Sequence, residues 1–480
     1  MPTTAHRPLA AVFPAGLLLA GLLLASAGCK GGPPPTPRDY FVSPRGDDAT
    51  GVGSAERPFK SIDRANRLSL HPGDRLLFEG GQTFRGTLRL GPDDAGMPGR
   101  PVTVGSFGAG RATIAADGSS GVVVEDAGGV RVIDLVVVGN GPTVNDGSGV
   151  EFTRDSGSWK RLPPIEVANV EARGFGRAGV RVAAEAGGYD GVRVTDCAAR
   201  GNAEAGIHVD GRQEMVDDRA CRYSHRDVVV AGCLAADNPG DPRARHVNHS
   251  GSGILIAGTD GGTIERCEAT RNGAASRGAE GGPIGIWATG STRVTIRLCR
   301  SHANRTNGRH DGGGFALDGG VTRSVMEDNV SEANDGSGFG LYQYEGAPPA
   351  SGNVVRRNVS RGDGRRNGYA GVHVWDGDGT MRDVLIERNR VEAGGADAWS
   401  TGPARALWVQ TPVVGLRVTE NAFVARDGAR LLDVAVGPAP DMSRNTYAWA
   451  DGGGTAIVWR GTPYATVAQW RAATGLAAAE

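Results

Sequence analysis

The stretch Val192-Arg193-Val194-Thr195-Asp196-Cys197 places two apolar residues two apart, then a polar pair, then a small side chain with a hydrogen-bonding tip. The same frame returns at Val228 to Cys233, Val294 to Cys299, Val384 to Asn389 and Leu416 to Asn421. Followed along the chain, its last position falls on Leu135, Asn169, Cys197, Cys233, Cys267, Cys299, Asn329, Asn358, Asn389, Asn421 and Asn445. A second marker keeps step with it: a glycine opening an alternating apolar strand, at Gly149, Gly179, Gly206, Gly253, Gly285, Gly314, Gly338 and Gly371. A unit of about 30 residues built from short strands and glycine turns cannot bury its own apolar face, so it must stack on its neighbours. The expectation is an all-β solenoid of about eleven coils.

In such a stack equivalent residues lie about 4.8 Å apart. Asn329, Asn358, Asn389, Asn421 and Asn445 are therefore expected to pass amide hydrogen bonds from coil to coil. Cys197, Cys233, Cys267 and Cys299 continue the column as small buried thiols, since parallel side chains pointing the same way make poor disulfide geometry. Their spacing is far from that of a structural zinc site, and no metal ligand set is expected there.

Composition fits a chain of many turns. Glycine fills 77 of 480 positions and aromatics only 6%, while 39% hydrophobic residues argue against wholesale disorder. The 52 basic and 53 acidic residues leave a formal charge of -1, which offers no field for nucleic acid.

At this coil length, with asparagine recurring at one turn, the repeat resembles the single-stranded right-handed parallel β-helix of the pectate-lyase-like superfamily over residues 85–450. Asp39-Tyr40-Phe41-Val42 and Gly73-Asp74-Arg75-Leu76-Leu77-Phe78 resemble the amino-terminal cap of exported proteins of that kind, giving a cap over 39–84. Residues 451–480 form the other cap, with a short helix near Tyr464 to Gly475 plugging the last coil. The uncharged run from Pro8 to Gly28 reads as a signal peptide, and Ala25-Ser26-Ala27-Gly28-Cys29 resembles a bacterial lipobox, although Ser26 stands where that family has leucine. The implied protein is exported to the cell envelope as a monomer. It is lipid-anchored at Cys29 through a Gly/Pro linker over 29–38, and no other part meets the membrane.

Within each glycine-opened strand the first and third residues after glycine are apolar and point inward, so the second and fourth point out. The outward positions include His208, Asp210, Trp287, Asp318, Tyr342, His373, Trp375, Trp408 and Gln410. Trp287, Tyr342, Trp375 and Trp408 are expected to be exposed rings that stack on sugars, with His208, Asp210 and Gln410 as further substrate contacts. Asn248-His249-Ser250, Arg309-His310-Asp311 and Asn334-Asp335 lie just ahead of these strands. Asp311 and Asp335 both stand three residues before their glycine, so stacking would hold them about one strand spacing apart as an acid/base pair. Asp318 supports them, with His310 and His373 available for proton transfer. Asp-Gly pairs are also favourite turn formers, which is the competing reading of all three aspartates.

The superfamily holds hydrolases, lyases, epimerases and binding proteins, so its fold alone does not fix a reaction. The polygalacturonase signatures are absent. No lysine follows Lys160, so the lysine base of several β-helix lyases is missing, which favours hydrolysis. No cofactor motif occurs. Calcium has acidic loops to bind but no readable ligand spacing. The expected activity is polysaccharide cleavage, with a non-catalytic glycan-binding or adhesion role as the alternative and a purely structural solenoid as a third.

Overall fold

The computed structural model describes residues 36–217, 220–243, 249–278, 280–398, 400–450 and 454–476. The expected signal peptide, Cys29 and most of the linker lie outside the described residues, as does Asn248. Everything below concerns the unit from Pro37 onward.

Among the described residues strands alternate among three long sheets of 13, 13 and 14 strands, with parallel neighbours one coil apart in sequence except at the end of the third, where Thr462–Tyr464 turns back antiparallel on Ile457–Trp459. This is the expected right-handed parallel β-helix of about eleven turns. In each coil a strand of the first sheet turns a corner into the second sheet and then another into the third, which carries the glycine-opened strands. The stack starts earlier than residue 85. Arg75–Glu79 already pairs with Val102–Phe107 in the first sheet, and Thr83–Arg85 with Ala112–Ala115 in the second. At the far end Ile457–Trp459 still pairs with Arg430–Val434. The helix Val467–Thr474 then covers the last coil, capped by the side-chain hydroxyl of Thr466 at its start and by left-handed Gly475 at its end. Its Trp470 is 1% exposed and sits edge-on to Tyr447 and Trp459.

Most inward positions are aliphatic or aromatic, and Phe315 and Phe339, one coil apart, stack at 5.1 Å; Ser301, Ser331 and Ser360 are the inward serines of three second-sheet strands and bond within the interior. Polar atoms also enter the interior at the corners, where they form ladders. Asn329, Asn358, Asn389 and Asn421 each donate through Nδ2 to Oδ1 of the next asparagine at 2.9 to 3.1 Å. The same oxygen accepts the backbone N–H of the rung before, and each Nδ2 also reaches a strand carbonyl, as Asn358 does to Met326. Each amide is thus satisfied on both sides.

The cysteines continue this column: the N–H of Cys197, Cys233 and Cys267 points at the sulfur of the next rung at 3.4 to 3.5 Å. Cys299 joins the two halves by donating its N–H to Asn329 Oδ1 at 3.0 Å. Asn169, however, is not a rung. It is exposed with φ 52° and bonds Asp134, and the buried position in that coil is Val170. The left-handed residue recurs just before the rung, at Asp196, Arg266, Leu298, Asp328, Arg357, Arg388, Glu420 and Arg444.

A second ladder stands at the next corner, five residues after the first. Asn202, Asn238, Asn272, Asn304 and Asn334 pass the same bonds and end on Asp363, which accepts from Asn334 and from Ser360.

Asn358→Ala removes one rung, strands the backbone N–H of Asn329 in the interior and leaves Asn329 Nδ2 with the Ile296 carbonyl alone. The expected loss is about 1–3 kcal/mol for the stranded N–H, read by chemical denaturation. Cys233→Ala, which strands only a weak sulfur contact, should cost less.

Candidate functional site

The third sheet keeps the expected register. Its outward column runs Glu151, Arg181, His208, Leu255, Trp287, Ala316, Gly340, His373, Trp408. The column is not an open stripe. Trp287 is 6% exposed, Tyr342 9% and His373 3%. Leu255, Ile284, Trp287, Ala316 and Tyr342 instead make a second apolar cluster outside the coil, with Trp375 packed against it. Trp287 donates through Nε1 to Ser252 Oγ at 3.3 Å and meets His249 edge-on.

Trp408 keeps some exposure but offers no free face for a sugar. His373 of the preceding coil stacks on it at 4.4 Å, and the Arg405 guanidinium lies 4.4 Å from its ring centre while Nε of Arg405 holds Asp433 of the following coil. Gln410 is exposed, but its Oε1 accepts the Nε2–H of His373 at 2.9 Å. Among the four aromatic residues expected to stack on substrate, Trp375 is the one left with usable surface.

The gap in this column is informative. Between Trp287 and His373 the outward side chains shrink to Ala316 and Gly340. Tyr342 folds back over Gly340, where a Cβ would lie 2.4 Å from its ring, and donates its hydroxyl to Ser337 at 2.8 Å. The large rings Trp287 and Tyr342 therefore flank the small Ala316. The strand Gly313–Asp318 that carries Ala316 is bracketed by two aspartates, Asp311 before it and Asp318 at its end.

Asp311 lies in the left-handed region with φ 51°, followed by Gly312 at φ 82°, so the chain enters the strand through a sharp bend. Its carboxylate accepts the Gly282 N–H at 2.9 Å, and its own N–H donates to the Tyr369 hydroxyl at 3.1 Å. Asp318 accepts the Gly319 N–H at 2.8 Å. Burial pushes the Asp318 carboxyl up to about 7, and the charge of Asp311 adds to the rise. Burial also raises Asp311, partly offset by the Gly282 N–H and by His310. Tyr369 and Tyr344, neither singled out in the sequence, complete the surroundings; burial raises both phenols, with Asp311 adding to Tyr369 and Asp318 to Tyr344.

The expected Asp311 and Asp335 pair does not form. The two residues stack in register, and Gly336 N–H donates to Gly312 O at 3.0 Å, but only Asp311 takes the left-handed conformation. The carboxylates diverge as a result. Asp335, 3% exposed, accepts the Thr306 N–H at 3.1 Å and faces Arg305 at 3.5 Å. His373 is also unsuited to carry a proton: burial drives its ring down to about 3, so it stays neutral near pH 7. His310 is partly exposed beside Asp311.

His208 and Asp210 fall in a charge network in earlier coils. Arg181 bridges Glu151 and Asp210, and His208 Nδ1 holds Glu204 at 2.8 Å. His208 reaches the aromatic cluster through edge-on contacts to His249 and thence Trp287. Among the described residues no group of three or more His, Cys, Asp or Glu side chains is disposed to hold a metal ion.

With this geometry in view, the chain matches the family described as the right handed beta helix region over residues 148–402 and belongs to that family. It is similar to a lacto-N-biosidase of Bifidobacterium longum subsp. longum, 27% identical over 172 residues, covering 31% of this chain and 11% of that protein. The chain therefore spans about a tenth of the length of this curated relative. Among solved structures, it is similar to the GH136 lacto-N-biosidase of Eubacterium ramulus, with TM-score 0.57 and 17% identity over 86% of this chain and 68% of that one. A pectate lyase gives TM-score 0.43 at 17% identity, over 77% and 82% of the two chains.

A carboxyl whose folded pKa is raised stabilises the fold while protonated, and that contribution fades as pH rises from the unfolded value near 4 through about 7. Asp318→Asn should therefore gain thermal stability relative to the wild type as pH goes from 4 to 8. Parallel melting curves across that range would show that Asp318 is an ordinary solvated turn residue.

Proposed function

We propose that the protein is an exported glycoside hydrolase acting on a glycan at the outer face of the third sheet, with Asp311 and Asp318 as its carboxyl pair. The observation that carries this reading is the pair itself: two partly buried aspartates at the ends of one strand, each raised by burial, with the charge of one raising the other. A carboxyl raised to about 7 is still partly protonated near neutral pH, when an ordinary carboxyl is ionised. Glycosidic hydrolysis needs that condition, since one carboxyl must protonate the leaving oxygen while the other, ionised, attacks the anomeric carbon or activates water.

The lining suits a sugar. Trp375, half-buried, supplies an apolar face two coils on from Asp318's strand, against the cluster that Trp287, Ala316 and Tyr342 close. The similarity to lacto-N-biosidases supports hydrolysis over elimination, as does the lack of lysine after Lys160. The binding-only alternative rested on a row of exposed rings, and the burial of Trp287 and Tyr342 and the sandwiching of Trp408 weaken it.

An oligosaccharide panel that includes lacto-N-biose-capped chains, scored for new reducing ends and for unsaturated ultraviolet-absorbing products, tests the reading. Reducing ends without unsaturation are expected. Asp311→Asn and Asp318→Asn should each lower turnover by about 100-fold or more while the protein stays folded. Trp375→Ala should weaken binding by about 1–3 kcal/mol, by analogy with rings that stack on bases. Turnover that survives both Asp variants would defeat the assignment.

The amino-terminal sequence supports export with lipid attachment at Cys29, after removal of residues 1–28. Mass spectrometry of the protein from its native host should find a diacylated Cys29 at the mature terminus. An unmodified terminus at any other residue would contradict that.

A further inference from the structure

A second concave site lies at the corner between the second and third sheets. It is a cavity of about 440 Å³ lined by Arg305, Asp335, Arg366 and Asp397, within the size range of small-ligand sites. These four come from successive coils, each just after the strand that ends at the ladder corner. Asp335, three residues before its glycine, is the aspartate that the reaction proposed above leaves unused.

The chemistry of the lining is specific. Asp335 is buried and uses both carboxylate oxygens inside the protein, one on the Thr306 N–H and one facing Arg305. Arg305 is further pinned through Nη1 to the Ala333 and Asn304 carbonyls at 2.6 and 3.2 Å. Arg366 is pinned in the same manner, through Nη1 to the Thr306 carbonyl at 2.6 Å. Among the described residues no hydrogen bond takes up Nε or Nη2 of either guanidinium. Two arginines are thus fixed in place by one nitrogen each, with their remaining donors left for a ligand. Across the cavity Asp397 is held by Arg365 through Oδ1 at 2.9 Å, which leaves Oδ2 as an acceptor.

We infer that this cavity binds a carboxylate-bearing sugar residue of the uronic acid type, resting on the reading of the protein as glycan-binding. Guanidinium groups recognise a carboxylate through paired N–H donors, and pre-fixed arginines lose little freedom on binding. Oδ2 of Asp397 accepts a sugar hydroxyl, which an isolated anion cannot supply. The site is tied to the carboxyl pair through one short turn: Arg366 faces the cavity, and Tyr369, three residues on, holds the N–H of Asp311.

The test is calorimetric binding of the full chain to glucuronic-acid-containing oligosaccharides, to the same oligosaccharides after reduction of the carboxyl to the alcohol, and to sulfated neutral ones. The expected result is binding of the acid form at least about tenfold tighter than the reduced form, the loss appropriate to a charged hydrogen-bonded contact. Arg366→Ala should erase that preference, and Arg366→Lys should not restore it, because a point charge does not reproduce the fork. Asp397→Asn should weaken the acid form without removing the preference. Equal affinity for acid and reduced forms would overturn the inference, as would tighter binding of sulfated sugars or an Arg366→Ala protein that keeps the preference. Should Arg366→Ala fail to fold, Arg366→Gln with thermal melts alongside gives the same readout. The outcome is separable from the proposed activity: loss of turnover in Asp311→Asn tests catalysis, whereas acid-over-alcohol preference in the wild type tests this cavity alone.

Discussion

At its first corner almost every coil passes through a residue in the left-handed region, and the residue after it delivers its side chain into the interior with polar atoms facing along the stack. Everything else in this structure depends on that corner relay. An amide buried in an apolar coil is costly unless both its donors and its acceptor are met. Here the next coil meets them, and only when it stands in register. A slip of one residue would orphan every rung at once, so the ladder fixes register more firmly than aliphatic packing could. The thiol rungs do the same work with weaker bonds, which is tolerable where the second ladder of Asn202 to Asn334 runs alongside.

Fixed register is what makes a site on so regular a scaffold. Stacking puts small Ala316 and Gly340 in adjacent coils between Trp287 and His373, so the gap in the outward column is a direct product of sequence written on a grid. The loops ahead of each strand then close over that face, which drives the aspartate pKa values up. The same enclosure neutralises His373. One strand thereby carries a raised carboxyl at each end without any departure from the repeat.

Much of this was legible in the sequence. The frame around Cys197 to Asn445 predicts the sheets, the ladder and the outward register, because period and polarity are local signals. In the coil before Cys197 the frame Ile165-x-Val167-x-x-Val170 places Val170 and not Asn169 at the rung, and asparagine one position earlier suits the left-handed corner. The second ladder was also visible, as an asparagine five residues after Cys197, Cys233, Cys267, Cys299 and Asn329. The burial of Trp287 and Tyr342 was not, since it depends on where loops of other coils fold. Nor was the divergence of Asp311 from Asp335: stacking aligns the two, and their different backbone conformations send the side chains to different partners.

Burial, with the charge of Asp311 adding to it, keeps Asp318 protonated well above the ordinary carboxylate range. Carbon-13 NMR of aspartate-labelled protein across pH 3 to 9 measures it directly. One side-chain carboxyl is expected to titrate near 7, absent in Asp318→Asn and shifted to lower pH in Asp311→Asn. A wild type in which the Asp318 carboxyl titrates below about 5, in the ordinary carboxylate range, and does not respond to loss of Asp311, would contradict it.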